Sequence, residues 1–366
     1  MGFSVVIFNW RDLPHPRAGG AEVVTHVLAA GLAARGHQVI CFTSRHNGAP
    51  MREERDGYAV ERHGNEITCR LHAFAWLRAR ARSFDVVIDE VNTLPFLSRF
   101  ATGRPVVLWL HQIAREVWLA EAPPVIGRVG YALEPMLLAL YRGLPIITGS
   151  QSSAQSFACV GLTAPARIAQ YPLAPPEPAR ATPRFARIGY VGRITPSKRI
   201  DHIIRALAIV RVSVPEAELL IIGGGAERER RRLVALAQRL GVAEIVTFAG
   251  RVSEPRRDEL IRSCDVLAMT SLREGWGLVV SEAARFRVPS VVYPVAGLID
   301  SVDHGVTGLV AAAPDPGALA ADLVRVIGDR ALRERLGTAA SERLRPFSAQ
   351  RFVADFERIL GEFAAR

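Results

Sequence analysis

A chain of 366 residues, at roughly 100–200 residues per domain, allows two or three compact units, and 49% hydrophobic with 22% charged residues is the usage of a globular protein with sizeable cores. Peptides, collagen, coiled coils and wholesale disorder are excluded. The formal charge of +10 admits nucleic acid, an anionic membrane face or an anionic small substrate, and because the excess is spread over both halves the plain reading is a generally basic surface.

Single residues sharpen this. Of the 46 basic residues only Lys198 is a lysine, which points to a site wanting a compact point charge. Cys41, Cys69, Cys159 and Cys264 lie at least 28 positions apart, leaving no CxxC pair for zinc, redox chemistry or a disulfide frame, so a reducing cytoplasm is the expected compartment. The most apolar stretch, 136–141, is closed by Pro135 and Arg142 and falls short of the ~20 residues a membrane helix needs. Residues 5–8 read as a buried strand rather than part of a signal peptide, and Val6 stands where an N-myristoylation pattern needs Ser or Thr. The chain is expected to be soluble, or peripheral at the inner face of a membrane.

In chain order, short apolar runs rich in β-branched residues alternate with stretches of helical period. Strands are expected over 5–8, 38–43, 85–88, 105–110 and 145–148, then over 188–191, 218–222, 245–248, 266–269 and 290–293. Such alternation builds parallel sheets. Between the two sets, residues 171–184 carry five prolines and can continue neither a helix nor a central strand. The expected organisation is a doubly wound domain over 1–172, a linker over 173–185 that serves as a hinge, a second doubly wound domain over 186–347 and a last helix within 348–366. That helix carries Phe352, Val353, Phe356, Ile359 and Leu360 at helical spacing and must bury this face.

Ligands of open α/β sheets sit beyond the carboxyl ends of the strands, so the loops there are the places to search. After the first strand, Gly19 and Gly20 end a loop at the start of a helix, where backbone amides suit a phosphate or a sugar, or where the pair simply makes a tight turn. Neither this pair nor 223–225 fits GxGxxG, since Arg228 stands at the closing position, and no GxxxxGK[ST] is present. After strand 188–191 the sequence VGRITPSK puts Arg193 and Lys198 where two cations could neutralise a diphosphate, the plain alternative being a solvated basic loop. After strand 266–269, EGWGLVVSEA makes a glycine-rich turn into a helix. Glu274 is expected beside the pocket and Glu282 two helical turns along, at its floor, against the alternative of a capping glutamate plus a surface one.

Taken in order along nearly the whole chain, AGGAE, VGRITPSK, EGWGLVVSEA and the later 297–310 segment resemble the retaining glycosyltransferases of family 4, with the GT-B fold. The resemblance implies two Rossmann-like α/β domains facing a central cleft, with the C-terminal helix crossing back to the first. It implies a nucleotide-diphosphate sugar as donor, UDP- or GDP-linked, a hydroxyl acceptor of open identity, retention of anomeric configuration, and neither cofactor nor metal. Residue by residue, Arg193 and Lys198 would hold the donor diphosphate, Glu274 and the amides of Gly275, Trp276, Gly277 and Leu278 would meet the sugar, and Glu282 would bind the ribose hydroxyls. Gly19 and Gly20 would close over the phosphates. His111, after strand 105–110, matches the family's active-site histidine near the donor sugar and joins Glu274, Arg193 and Lys198 as the catalytic set. Arg251 lies where the family contacts the nucleobase. Trp10, Arg11 and His15 map onto no general pattern and lie in a loop that shapes the acceptor pocket in this fold.

Two other readings stand beside this one. The same fold and diphosphate cluster serve nucleotide-sugar epimerases and phosphorylases, although a phosphorylase needs a further lysine for pyridoxal phosphate. A basic membrane- or nucleic-acid-binding module would use 71–82, where Phe74, Trp76 and Leu77 lie beside three arginines, but alternate arginines spread around a helix and read as a connecting element. No nucleic-acid partner is expected.

Overall fold

Alternating apolar strands and amphipathic helices assemble into two α/β units in the structure, a computed structural model describing residues 2–177 and 186–364. Most of the expected linker 173–185, namely 178–185, and the last two residues of 348–366 lie outside the described residues. One unit comprises Met1–Arg115, Arg128–Pro172 and Phe347–Arg366, the other Glu116–Gly127 and Leu173–Pro346.

In chain order the first set of elements is β1 (Ser4–Phe8), α1 (Gly20–Ala34), β2 (Gln38–Thr43), β3 (Arg52–Arg55), β4 (Tyr58–Arg62), α2 (Cys69–Ala79), β5 (Val86–Val91), β6 (Val106–Leu110), α3 (Glu116–Glu121), α4 (Pro124–Ala139), β7 (Ile146–Thr148), α5 (Gln151–Ser156) and β8 (Ala166–Ile168). The strands form one sheet ordered β3-β4-β2-β1-β5-β6-β7-β8, parallel except for β3. The hairpin β3–β4 goes beyond the expected strands. Its turn is Asp56-Gly57 with both φ positive, and the charged edge strand Arg-Glu-Glu-Arg is built to resist further pairing. The polar look of this segment conceals a buried Arg62, which donates to Asp12 Oδ2 (Nε, 2.9 Å) and Glu53 Oε2 (2.7 Å).

β5 also runs further than the expected 85–88, taking Asp89 and Glu90 into the core. Both carboxylates find internal donors: Asp89 accepts from Phe96 N (3.0 Å), Ser98 Oγ (2.7 Å) and the Tyr141 hydroxyl. α2 buries Trp76 and Leu77, and Trp76 Nε1 donates to Glu61 Oε2 at 2.7 Å, so these two apolar residues of 71–82 serve the core of this unit, while Leu71 is exposed. A short 3-10 turn, Ala81–Ser83, ends that stretch.

The second set is β9 (Arg187–Val191), α6 (Ile200–Ser213), β10 (Glu218–Ile222), α7 (Glu227–Arg239), β11 (Val246–Gly250), α8 (Glu254–Arg262), β12 (Val266–Met269), α9 (Leu278–Arg285), β13 (Ser290–Val292), α10 (Leu298–Ser301), β14 (Gly308–Val310), α11 (Pro316–Gly328) and α12 (Arg330–Arg343). Its sheet is wholly parallel, ordered β11-β10-β9-β12-β13-β14. The strands are nearly continuous apolar runs because helices cover both faces. Finally α13 (Ala349–Ala364) belongs to the first unit, where it packs on α1 and sets Phe356 against Trp109 with ring centroids 4.8 Å apart. Among the described residues no helix is long and apolar enough to cross a membrane.

Candidate active site

The second sheet reverses its winding between β9 and β12. Chain order proceeds outward from β9 to β10 and β11 on one side, and from β12 to β13 and β14 on the other. At such a switch point the loops after the two strands diverge and leave a crevice for a ligand. Those loops hold Arg193 and Lys198 after β9, and Glu274 after β12.

Three hydrogen bonds stitch the loops together. Thr270 Oγ1 donates to the carbonyls of Lys198 (2.8 Å) and Arg199 (2.9 Å), and Leu272 N donates to Ser197 O (2.8 Å). As a result Lys198 Nζ donates to Glu274 Oε1, which also accepts from Ser271 Oγ at 2.8 Å. Arg193 is exposed, and its carbonyl accepts from the Tyr190 hydroxyl at 2.9 Å. Beyond it Ile194 N donates to Gly224 O (2.8 Å) and Gly192 N to Ile222 O (3.0 Å), so the glycine triplet 223–225 extends the β9–β10 ladder past the strand ends. Arg251 follows β11 and lies alongside Gly224.

The turn 273–277 is not helical. Gly277 sits at φ +81°, in the left-handed region, and α9 begins only at Leu278. Glu282 is therefore little more than one turn into its helix, not two. The Trp276 ring is buried, donating from Nε1 to Ser281 Oγ at 3.0 Å, which leaves the main chain of the turn as its chemically useful part. Glu282 stands apart from the Lys198–Glu274 pair in its contacts. Its Oε2 is shut off from solvent, 3.7 Å from Arg257 Nε, with no hydrogen-bond donor among the described residues. Burial lifts this carboxyl above the ordinary carboxylate range, with the Arg257 guanidinium acting against the rise.

Segment 116–127, in the same unit, brings two further carboxylates to these loops: Glu116 Oε2 accepts from Arg273 Nε at 2.5 Å, and Glu121 accepts from Ser197 Oγ. Sequence reasoning missed both, since α3 offers no motif.

In the first unit the winding reverses between β1 and β5. Gly19 is the N-cap of α1, but its amide is not bare as expected: it donates to Glu22 Oε2 at 2.7 Å, the helix's own acidic residue filling the anion position. His111, after β6, is buried. Its Nε2 lies 2.8 Å from Glu90 Oε1, and its Nδ1 meets the Tyr171 hydroxyl. An ionised Glu90 only accepts, which places a ring hydrogen on Nε2. Glu90 also accepts from Asn9 Nδ2 (2.9 Å) and Thr25 Oγ1 (2.8 Å), and burial pushes its carboxyl upward against these bonds. Glu90 and Tyr171, the partners of His111, are residues the sequence reading did not single out. The signal was there in an Asp-Glu pair closing a strand that is otherwise apolar.

Two sheets of this topology and a C-terminal helix returning to the first unit make the GT-B fold. Sucrose-phosphate synthase from Thermosynechococcus elongatus has the same architecture, with a TM-score of 0.82 at 20% identity over 100% of both chains. Anabaena HepE, solved with UDP and glucose, gives 0.76 at 19% identity over 98% of this chain and 100% of that one. The sequence profile "Glycosyltransferase Family 4" matches residues 18–172 and "Glycosyl transferases group 1" residues 179–343. The D-inositol 3-phosphate glycosyltransferase of Acidothermus cellulolyticus is 30% identical over 362 residues, 87% of this chain and 80% of that protein. The chain therefore belongs to glycosyltransferase family 4. Relatives of the same description matched at 33–34% identity are covered over only 41%, 38% and 38% of their own length.

Proposed function

We propose that the protein is a retaining glycosyltransferase that moves a sugar from a nucleotide-diphosphate sugar to a hydroxyl acceptor without a metal. The observation that carries this reading is the chain's only lysine held on Glu274 at the switch point, next to an exposed Arg193. As the bond from sugar to diphosphate breaks, negative charge grows on the leaving phosphate. Lys198, held by Glu274, is a cation on a post-strand loop that needs little reorganisation to meet that charge, and the exposed Arg193 of the same loop supplies a second. Glu274 orients the ammonium and faces the sugar half of the donor. Glu282, whose side chain is part-exposed beside Arg257, is an acceptor that suits a ribose hydroxyl, which is a donor. His111, its ring held between Glu90 and Tyr171, is assigned to the donor sugar on the family resemblance alone. The UDP bound in HepE favours a uridine donor, with a guanosine donor as the alternative.

The test is nucleotide release and transfer with a panel of UDP-, GDP-, dTDP- and ADP-sugars. Lys198→Ala and Arg193→Ala are each expected to lower kcat/KM roughly 10²–10³-fold with unchanged melting temperature, the cost of deleting one preorganised charge stabiliser. EDTA should leave the parent's rate intact, and the product should keep the donor's anomeric configuration by NMR. Parental turnover in either variant would remove the diphosphate assignment.

A further inference from the structure

In the second unit a row of charges of alternating sign runs from Glu177, close to the start of that unit, to Glu282. The Glu177 carboxylate accepts from Arg285 Nη2 at 2.9 Å and from Arg262 Nη2, and the Glu177 amide donates to the Arg285 carbonyl at 3.0 Å. Arg285 Nη1 in turn lies 3.5 Å from Asp258 Oδ2, Asp258 Oδ1 accepts from Arg257 Nη2 at 3.2 Å, and Arg257 Nε stands 3.7 Å from Glu282 Oε2. Three stretches of chain, at 177, 257–258 and 282–285, thus meet along α8 and α9.

This row differs from scattered surface ion pairs, which contribute little. Its side chains are one-third exposed or less, from 33% at Glu177 to 13% at Asp258, and the guanidinium groups of Arg262 and Arg285 cover the Phe286 ring at 4.0 and 5.1 Å. At the inner end Arg257 has a choice of carboxylates. Glu254, 74% exposed, draws Nη2 outward at 3.4 Å, whereas the buried Asp258 holds the fork where Nε stands against Glu282. The charges that act on Glu282 are those of the same row: Arg257 and Arg285 oppose the rise that burial imposes on its carboxyl, and Asp258 and Glu254 add to it. If Glu177 lets go of Arg285, Asp258 loses its anchor on α9 and Arg257 is free to turn to Glu254.

We propose that Arg257 keeps Glu282 charged and aimed for the donor nucleotide, and that Glu177 holds Arg257 in place through Arg285 and Asp258. Both residues act through the ribose contact assigned to Glu282 above and rest on that reading, so they are positioning residues and do not touch the donor. The experiment is calorimetric titration of the full chain with UDP or GDP, and with the same nucleotide lacking both ribose hydroxyls. The parent should prefer the hydroxyl-bearing nucleotide by at least about tenfold, and Glu282→Ala should abolish the preference. Glu177→Gln and Arg257→Gln should each reduce it to about threefold or less, while affinity for the nucleotide without hydroxyls stays within about twofold of the parent's, a pattern that general loosening of α8 and α9 would not produce. Should either variant not fold, Arg257→Lys, which keeps the charge but not the planar fork, should still lower the preference. Full preference in a folded Glu177→Gln or Arg257→Gln, beside its loss in Glu282→Ala, would overturn the relay and leave the role of Glu282 standing. Equal weakening of both nucleotides would also overturn it, and a parent without any preference would remove the ribose role of Glu282 and the relay together.

Discussion

Glu274 and Glu282 share one turn-and-helix motif but differ in environment, and they should fail differently. Glu274 is fully engaged, by Lys198 and Ser271, in the loop assigned to the reacting half of the donor. Glu274→Gln should lower kcat by more than tenfold with a smaller change in KM, because a contact that tightens as the bond breaks is lost. Glu282 is proposed to meet ribose hydroxyls, which change little during reaction, so Glu282→Gln should raise the donor KM about tenfold and leave kcat within a few fold. The same variant carries a pH signature. Burial raises the folded carboxyl above its unfolded value, so the folded state binds the proton more tightly. Stability is then lost as pH rises from the ordinary carboxylate range through the raised value, and the loss is complete above it. Without donor, Glu282→Gln should melt higher than the parent at neutral pH, and the gap should close on acidification. Steady-state kinetics and melting curves across pH check both halves; a variant that melts lower at neutral pH and binds donor normally would contradict the assignment.

At the scale of elements, the turn 273–277 depends on what lies beneath it. Gly297 caps α10 at φ +80°, and a Cβ there would collide with the Glu274 carbonyl. Gly297→Ala should combine left-handed strain with displacement of the turn, raising the donor KM and lowering the melting temperature together. Kinetics and calorimetry on that variant test whether the turn is held from below. The C-terminal helix offers a test in the first unit. Phe356 is fully buried against Trp109 and Phe352, and Phe356→Ala should cost about 3–5 kcal/mol of that unit's stability in denaturant titrations. The β3–β4 hairpin shows why some elements escaped the sequence. Arg62 reads as solvent-facing until Asp12, fifty positions earlier, and Glu53 neutralise it. Strand β5 reads as ending at 88 for the same reason, because two carboxylates interrupt an apolar run.

For the whole molecule, each unit has its own sheet and core, so donor contacts assigned to the second unit should be visible there. Saturating UDP should slow amide hydrogen exchange over 192–199 and 270–282 by more than tenfold, and leave the hairpin 52–62 unchanged. At about 100 times its dissociation constant the nucleotide should add ~2.7 kcal/mol of stability. Protection confined to 9–20 would reverse the assignment of the units.

What the amino-acid order determined by itself was local. Val5, Val39 and Ile188 declare buried strands through hydrophobic pattern, and the glycines and prolines around 172–176, 192 and 275–277 mark where strands give way to loops, because these signals act over a few residues. The only lysine was likewise visible as a composition anomaly. What the sequence left open was decided at a distance. Lys198 and Glu274 are 76 positions apart and meet only because β9 and β12 are neighbours in the sheet. His111 is oriented by Glu90 and Tyr171, and the Gly19 amide loses its vacancy to Glu22. Period and composition cannot report such pairings, since the free energy of a buried charge or a shared hydrogen bond depends on which partner the folded chain brings within about 3 Å.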